Sequence, residues 1–123
     1  MPLIIAGVSM GGYGALYHYL KNTDSYAAGV ALSPAIRPDR LDESIFGTLR
    51  ELFLENKGIE MNIYLSVGEA DFIIDCSRQL DDFLTENKIG VNYKFIPGKD
   101  HSWYTWALEV FEVFEYLKNK KII

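Results

Sequence analysis

The residues with the clearest chemical use lie close to the start of the chain. Gly7-Val8-Ser9-Met10-Gly11 fits G-x-S-x-G. A serine placed on a tight strand-to-helix turn has its hydroxyl thrust outward, and glycines on either side let strand and helix approach closely around it. The helix that follows points its N-terminus at the hydroxyl. Its free N–H groups favour a developing oxyanion, with the N–H of Met10 as one donor. Five residues of this kind are common by chance, so context decides. Leu3 to Val8 is a short aliphatic run suited to a buried strand, and Ala15, Leu16, Tyr19 and Leu20 then recur at helical spacing. Strand, turn and helix together mark Ser9 as a candidate nucleophile.

A serine hydroxyl attacks only when a neighbouring imidazole takes its proton and a carboxylate orients that imidazole. The chain has two histidines. His18 lies within the first helix among Tyr17, Tyr19 and Leu20, where a structural role is expected. His101 follows Pro97-Gly98-Lys99-Asp100, a turn after a strand, and is the candidate base. The acid is expected after another strand end, in Gly68-Glu69-Ala70-Asp71. Asp71 is the choice over Glu69, Asp75 and Asp100. Asp75 suits a helix cap, and Asp100 adjoins His101 too closely to meet its inner ring N–H. The order Ser9, Asp71, His101 is that of hydrolases built on this elbow.

These residues need a frame that brings strand ends together. Ala28–Leu32 reads as a second buried strand, Met61–Val67 as a third and Val91–Ile96 as a fourth. Alternation of Asn92 and Lys94 with Val91, Tyr93 and Phe95 predicts a sheet edge with one face toward water. Residues 33–47 read as loop with a short turn of helix at most. Thr48-Leu49-Arg50-Glu51 has the form of a capping box, opening a helix over Leu49, Leu52 and Phe53 that Gly58 closes. Asp75 is expected to cap a helix carrying Cys76, Leu80, Phe83 and Leu84. In the last helix Trp103, Ala107, Val110, Phe114 and Leu117 predict a core stripe. Trp103, Tyr104 and Trp106 are candidates for lining an acyl or aromatic pocket, although core packing is the stronger expectation for most of them. Strands alternating with helices predict an α/β fold, a three-layer sandwich with a parallel sheet of about four strands. Active residues gather at the carboxyl ends of such strands. Residues 1–123 read as one domain, with 33–60 a possible small substrate-side insertion.

Bulk properties narrow the function classes. A net charge of −5 with no basic run argues against nucleic acid and anionic membrane surfaces. No stretch approaches the roughly 20 apolar residues of a membrane span. The single cysteine, Cys76, excludes an internal disulfide and fits a reducing compartment, and the start lacks the basic n-region of a signal peptide. A cytoplasmic protein is the expectation. No Cys/His cluster has metal-ligand spacing, and GVSMGGYG has neither P-loop nor dinucleotide spacing, so no metal and no cofactor are expected.

Gly-Val-Ser-Met-Gly-Gly-Tyr-Gly-Ala-Leu, Gly-Glu-Ala-Asp-Phe and Gly-Lys-Asp-His-Ser-Trp-Tyr-Thr-Trp resemble the esterase D group of the α/β-hydrolases. That group includes S-formylglutathione hydrolases, tributyrin, acetyl and feruloyl esterases, and mycolyltransferases. The resemblance implies that Ser9, Asp71 and His101 form a triad acting on a small or short-chain carboxylic ester through an acyl-enzyme. A catalytically inactive half-domain and an acyltransferase are the alternatives. Family members are about twice as long, so the chain resembles the carboxyl-terminal half of such a hydrolase. In the family the other half carries the loop with the second oxyanion donor, and losing one such donor costs about 10²–10³-fold in rate. The resemblance also implies that Leu3–Val8, central in the family's sheet, has a bare far side here. Its unpaired N–H and C=O groups predict either a homo-oligomer or docking of a complementary amino-terminal half.

Overall fold

The computed structural model describes residues 3–36 and 43–123. Four strands alternate with four helices: β1 (Ile4–Val8), α1 (Met10–Lys21), β2 (Ala28–Leu32), α2 (Glu43–Glu55), β3 (Ile63–Gly68), α3 (Ile74–Glu86), β4 (Asn92–Ile96) and α4 (Trp103–Asn119). The described strands form one parallel sheet in the order β1-β2-β3-β4. β2 and β3 are buried along their whole length, as their continuous apolar runs require, while β1 and β4 are only half-buried at the edges.

Side chains alternate across the sheet and build two cores. On one face Ile5, Ala31, Ile63, Leu65 and Tyr93 meet α1, α2 and α3 through Leu16, Tyr19, Leu49, Phe53, Leu80 and Leu84. Full burial of an aliphatic or aromatic side chain is worth about 1.5–3 kcal/mol, so this face supplies most of the stabilisation. On the other face Ile4, Val8, Val30, Leu32 and Tyr64 meet α4 through Trp106, Val113 and Tyr116. α1 sits very close to the sheet: a Cβ at Gly29 would come within 2.9 Å of the Tyr19 ring. The Tyr19 hydroxyl accepts the Asn62 N–H at 3.0 Å, and the Asn56 side-chain amide ties α2 to the end of α1 by donating to the Leu20 carbonyl at 2.9 Å.

The fold class is the expected one, and several boundaries differ. α2 begins at Glu43, so Gly47 and Thr48 lie inside the helix and the capping box does not form. Phe46, one turn ahead of the expected start, is buried in the core and carries the Arg50 guanidinium over its ring at 5.1 Å. Residues 37–42 of the expected loop lie outside the described residues. α3 is preceded by Ile73 rather than capped by Asp75, which stands exposed in the first turn.

α4 departs furthest. Its buried residues are Thr105, Trp106, Glu109 and Leu117, while Trp103, Val110 and Phe114 are exposed at 75%, 44% and 51%. The core face lies about a third of a turn from the expected stripe. It includes a carboxylate, Glu109, made tolerable by the Tyr64 hydroxyl donating to it at 2.7 Å and by the Lys94 ammonium at 3.3 Å. Lys94 therefore reaches toward α4 while staying partly exposed to water. Because Glu109 and Tyr116 lean toward β3 and β4, the apolar flank of Trp103, Val110 and Phe114 turns toward the β1 side. Among the described residues no helix is long and apolar enough to cross a membrane.

Candidate active site

All four strands end at the same rim, as the register of Val8 with Leu32, Leu32 with Ser66 and Gly68 with Ile96 requires. Ser9 is the first residue past β1. Its backbone, at φ 55° and ψ −121°, is strained for a residue with a side chain. The strain is imposed from both sides. The Ser9 N–H donates to the Leu32 carbonyl at 3.0 Å, and the Ser9 carbonyl accepts the N–H of Ala35 at 2.9 Å and of Gly12 at 2.9 Å. Only glycine fits at position 7, where a Cβ would stand 2.0 Å from the Gly11 carbonyl oxygen.

The hydroxyl of Ser9 lies 2.9 Å from His101 Nε2, and His101 Nδ1 lies 2.8 Å from Asp71 Oδ2. An ionised carboxylate can only accept, so Nδ1 carries the proton and Nε2 is left to accept from the serine. Asp71 is 2% exposed, and its other oxygen accepts the Ile73 N–H at 3.0 Å, so it has one orientation. The loops bearing acid and base are laced together: the Ala70 N–H donates to the Lys99 carbonyl at 2.9 Å. Gly68 permits this, since a Cβ there would stand 2.1 Å from that same oxygen. The Met10 N–H opens α1 and belongs to the turn of donors that have no upstream carbonyl in the helix.

Two of the rival carboxylates are engaged elsewhere, and the third, Asp75, stands exposed on α3. Glu69 pairs with Arg78 at 3.1 Å, and Asp100 accepts from the Thr105 hydroxyl at 3.4 Å. His18 is exposed on α1, with its ring edge-on to Tyr17. A cavity of about 420 Å³ opens over Ser9 and His101, walled by Met10, Tyr13, Ala35, Ile45, Phe72 and Ile73. Trp103 and Tyr104 are not in that wall. Trp103 packs edge-on against Trp106 at 5.0 Å, and Tyr104 carries the Lys99 ammonium at 5.0 Å. Ile45 and Phe72 were not singled out in the sequence. Ile45 precedes the expected helix start, and Phe72 differs from a core aromatic only by its place beside Asp71. Among the described residues no group of His, Cys, Asp or Glu is arranged to hold a metal ion.

Residues 3–116 match the Esterase family. The chain is 28% identical to the acetyl esterase of Caldicellulosiruptor saccharolyticus, over 94% of its own length and 54% of that protein. It is 30% identical to the S-formylglutathione hydrolase of Bos taurus, over 81% of its length and 42% of that protein. Among solved structures it superposes on the S-formylglutathione hydrolase FrmB of Staphylococcus aureus with a TM-score of 0.75 and 25% identity, covering 93% of this chain and 50% of that one. It also superposes on the serine hydrolase FphF of the same organism with a TM-score of 0.77, a likeness of fold. The chain thus spans about half the length of the relatives it matches.

Proposed function

The chain belongs to the esterase family, and we propose that it is a serine esterase that cleaves a small carboxylic ester through an acyl-enzyme. The observation that carries this reading is the unbroken relay from Asp71 through His101 to Ser9, at 2.8 and 2.9 Å. Ser9 Oγ bonds to the carbonyl carbon while His101 Nε2 takes the hydroxyl proton. The developing oxyanion is met by the Met10 N–H. As the ester C–O bond breaks, the imidazolium returns its proton to the departing alcohol. Water then repeats the sequence: its proton goes to Nε2, its oxygen bonds to the acyl carbon, and Ser9 Oγ leaves with the proton restored. The apolar walls of the 420 Å³ cavity favour a short acyl or alkyl group. A burst of p-nitrophenol from p-nitrophenyl acetate, lost in Ser9→Ala, is the expected result. No release from the folded wild-type chain above the Ser9→Ala background would instead favour a domain without turnover. Ester or thioester products from an added alcohol or thiol would identify an acyltransferase.

A second reading concerns the partner. β1 is an outer strand of the described sheet, and the exposed apolar flank of α4 lies on its side. An open edge beside an apolar ledge suits a polypeptide that adds a strand and a covering layer. We infer that the occupant is the other half of an esterase-type domain, in the same polypeptide or in another, because the chain aligns with only half of its relatives. Light scattering of the 14.0 kDa chain, alone and mixed with the amino-terminal half of a relative, tests this. A one-to-one complex is expected. A homodimer would make a second copy the occupant, and monomers in every mixture at micromolar concentration would refute docking.

A further inference from the structure

His101 is borne on a loop that contains Gly98, yet its imidazole must hold one orientation through two chemical steps. In the resting site two hydrogen bonds fix it, one that Nδ1–H donates to Asp71 and one that Nε2 accepts from Ser9. In the acyl-enzyme the second is gone, because Ser9 Oγ has become an ester oxygen and no longer has a proton to give. What then keeps Nε2 aimed at the incoming water is the Asp71 bond and the rings around the imidazole.

Those rings are Phe72, at 4.8 Å between centroids, and Trp106, edge-on at 5.1 Å. Phe72 is 68% exposed, whereas Trp106 is buried at 8% and tied into the fold by its indole. The Trp106 indole N–H donates to Ser33 Oγ at 2.9 Å, and Ser33 is 1% exposed. Ser33 is itself held at φ 50° just past β2, with its N–H donating to the Ser66 carbonyl at 2.7 Å. Two residues on, the Ala35 N–H donates to the Ser9 carbonyl at 2.9 Å. One short segment, residues 33–35, thus braces the serine elbow directly and the histidine through an indole. Nothing in the relay itself requires a buried, left-handed serine at position 33.

We propose that Ser33 and Trp106 are positioning residues for His101, and that they matter most in the acyl-enzyme. The proposal rests on the esterase reading, and it sets the two half-reactions apart. With the Ser33–Trp106 bond removed, acylation still has the Ser9 hydroxyl to align the imidazole, whereas deacylation has lost its brace.

The test is pre-steady-state hydrolysis of p-nitrophenyl acetate by the wild-type chain, Ser33→Ala and Trp106→Phe. Both variants are expected to keep the burst amplitude and to acylate at near the wild-type rate. Their deacylation should slow by about tenfold, the order of one lost net hydrogen bond. The indole N–H of Trp106 should exchange with solvent faster in Ser33→Ala, and the His101 Nδ1–H resonance should broaden. Deacylation within about twofold of wild type in a folded variant overturns the proposal, and so does an equal loss in both half-reactions. If Ser33→Ala does not fold, Trp106→Phe decides, since it keeps an aromatic ring in the core, though a smaller one, and removes the donor. A wild-type chain that releases no p-nitrophenol above the Ser9→Ala background defeats the esterase reading instead. The two proton signals then decide separately whether Ser33 and Trp106 hold the ring: an unchanged His101 resonance in both variants would show that they do not.

Discussion

Gly68→Ala separates positioning from stability. An added methyl would stand 2.1 Å from the Lys99 carbonyl oxygen and 2.4 Å from its carbon. Ordinary contact begins near 3.4 Å, so the loop at residues 97–101 must withdraw by about 1.3 Å, the difference between 3.4 and 2.1. Withdrawal breaks the 2.9 Å bond from the Ala70 N–H to the Lys99 carbonyl, at a cost of about 1 kcal/mol. The smaller backbone entropy of alanine in the unfolded chain offsets about half of that or more. The net loss of stability should therefore be about 0.5 kcal/mol or less, a fall in Tm of about 2 °C at most for a chain of this size. Activity should suffer far more. His101 lies two residues from Lys99, and a displacement of about 1 Å at a reacting group costs on the order of 10²-fold. Steady-state hydrolysis of p-nitrophenyl acetate, measured well below the melting transition followed by circular dichroism, should show kcat/KM down about 100-fold with the fold intact. A variant that melts lower but keeps kcat/KM within about threefold would refute the reasoning, because the loops of Asp71 and His101 would then be held independently.

Further outcomes follow from the packing. Burial raises the phenol pKa of Tyr19, Tyr64, Tyr93 and Tyr116, that of Tyr116 to about 12. A raised folded-state value gives stability that is complete below the unfolded pKa near 10 and lost as pH climbs through the folded values. Absorbance at 295 nm should thus show Tyr19, Tyr64, Tyr93 and Tyr116 ionising only as the circular dichroism signal collapses. Lys94→Met leaves the buried Glu109 carboxylate with the Tyr64 hydroxyl alone. Because Lys94 is itself partly exposed, urea unfolding should show a loss of only about 1–2 kcal/mol, below the figure for a fully buried pair. Phe114→Ser, on the outward flank of α4, should shift stability by no more than about 0.5 kcal/mol in the same experiment.

The alternation of strand and helix, the elbow and the approach of residues 71 and 101 to residue 9 could be read from local signals. Continuous apolar runs marked β2 and β3, and each chemical residue followed a strand end. The face of α4 could not be read in this way. Apolar residues occupy most of its turns, so two stripes a third of a turn apart fit equally well. The true core face was hidden by Glu109, whose burial depends on Tyr64 and Lys94 from other strands. The start of α2 was obscured by Gly47, which reads as a turn unless Phe46 is known to reach the core. Ser33 gave no signal, since a serine before a proline looks like an ordinary strand end. Only the indole of Trp106, distant in sequence, gives it a task.

The site is held in place by the sheet more than by its own loops. The residue just past each of the first three strands donates its N–H to a carbonyl in the closing residues of the next strand: Ser9 to Leu32, Ser33 to Ser66, and Glu69 to Ile96. The ladder thus continues one step beyond each strand, across the whole rim from β1 to β4. A slip of one residue between neighbouring strands would move the rim by about 3.3 Å and turn every side chain to the opposite face. That is more than the whole 2.9 Å separation of Ser9 Oγ and His101 Nε2. Register in turn is fixed by β2 and β3, whose residues are buried on both faces and cannot exchange them without exposing one core and overfilling the other. The strained backbone at Ser9 costs about 1–3 kcal/mol and persists because this ladder leaves the residue no relaxed alternative. Side chains that would never touch a substrate, such as Leu65 and Val30, therefore decide whether the hydroxyl and the imidazole meet.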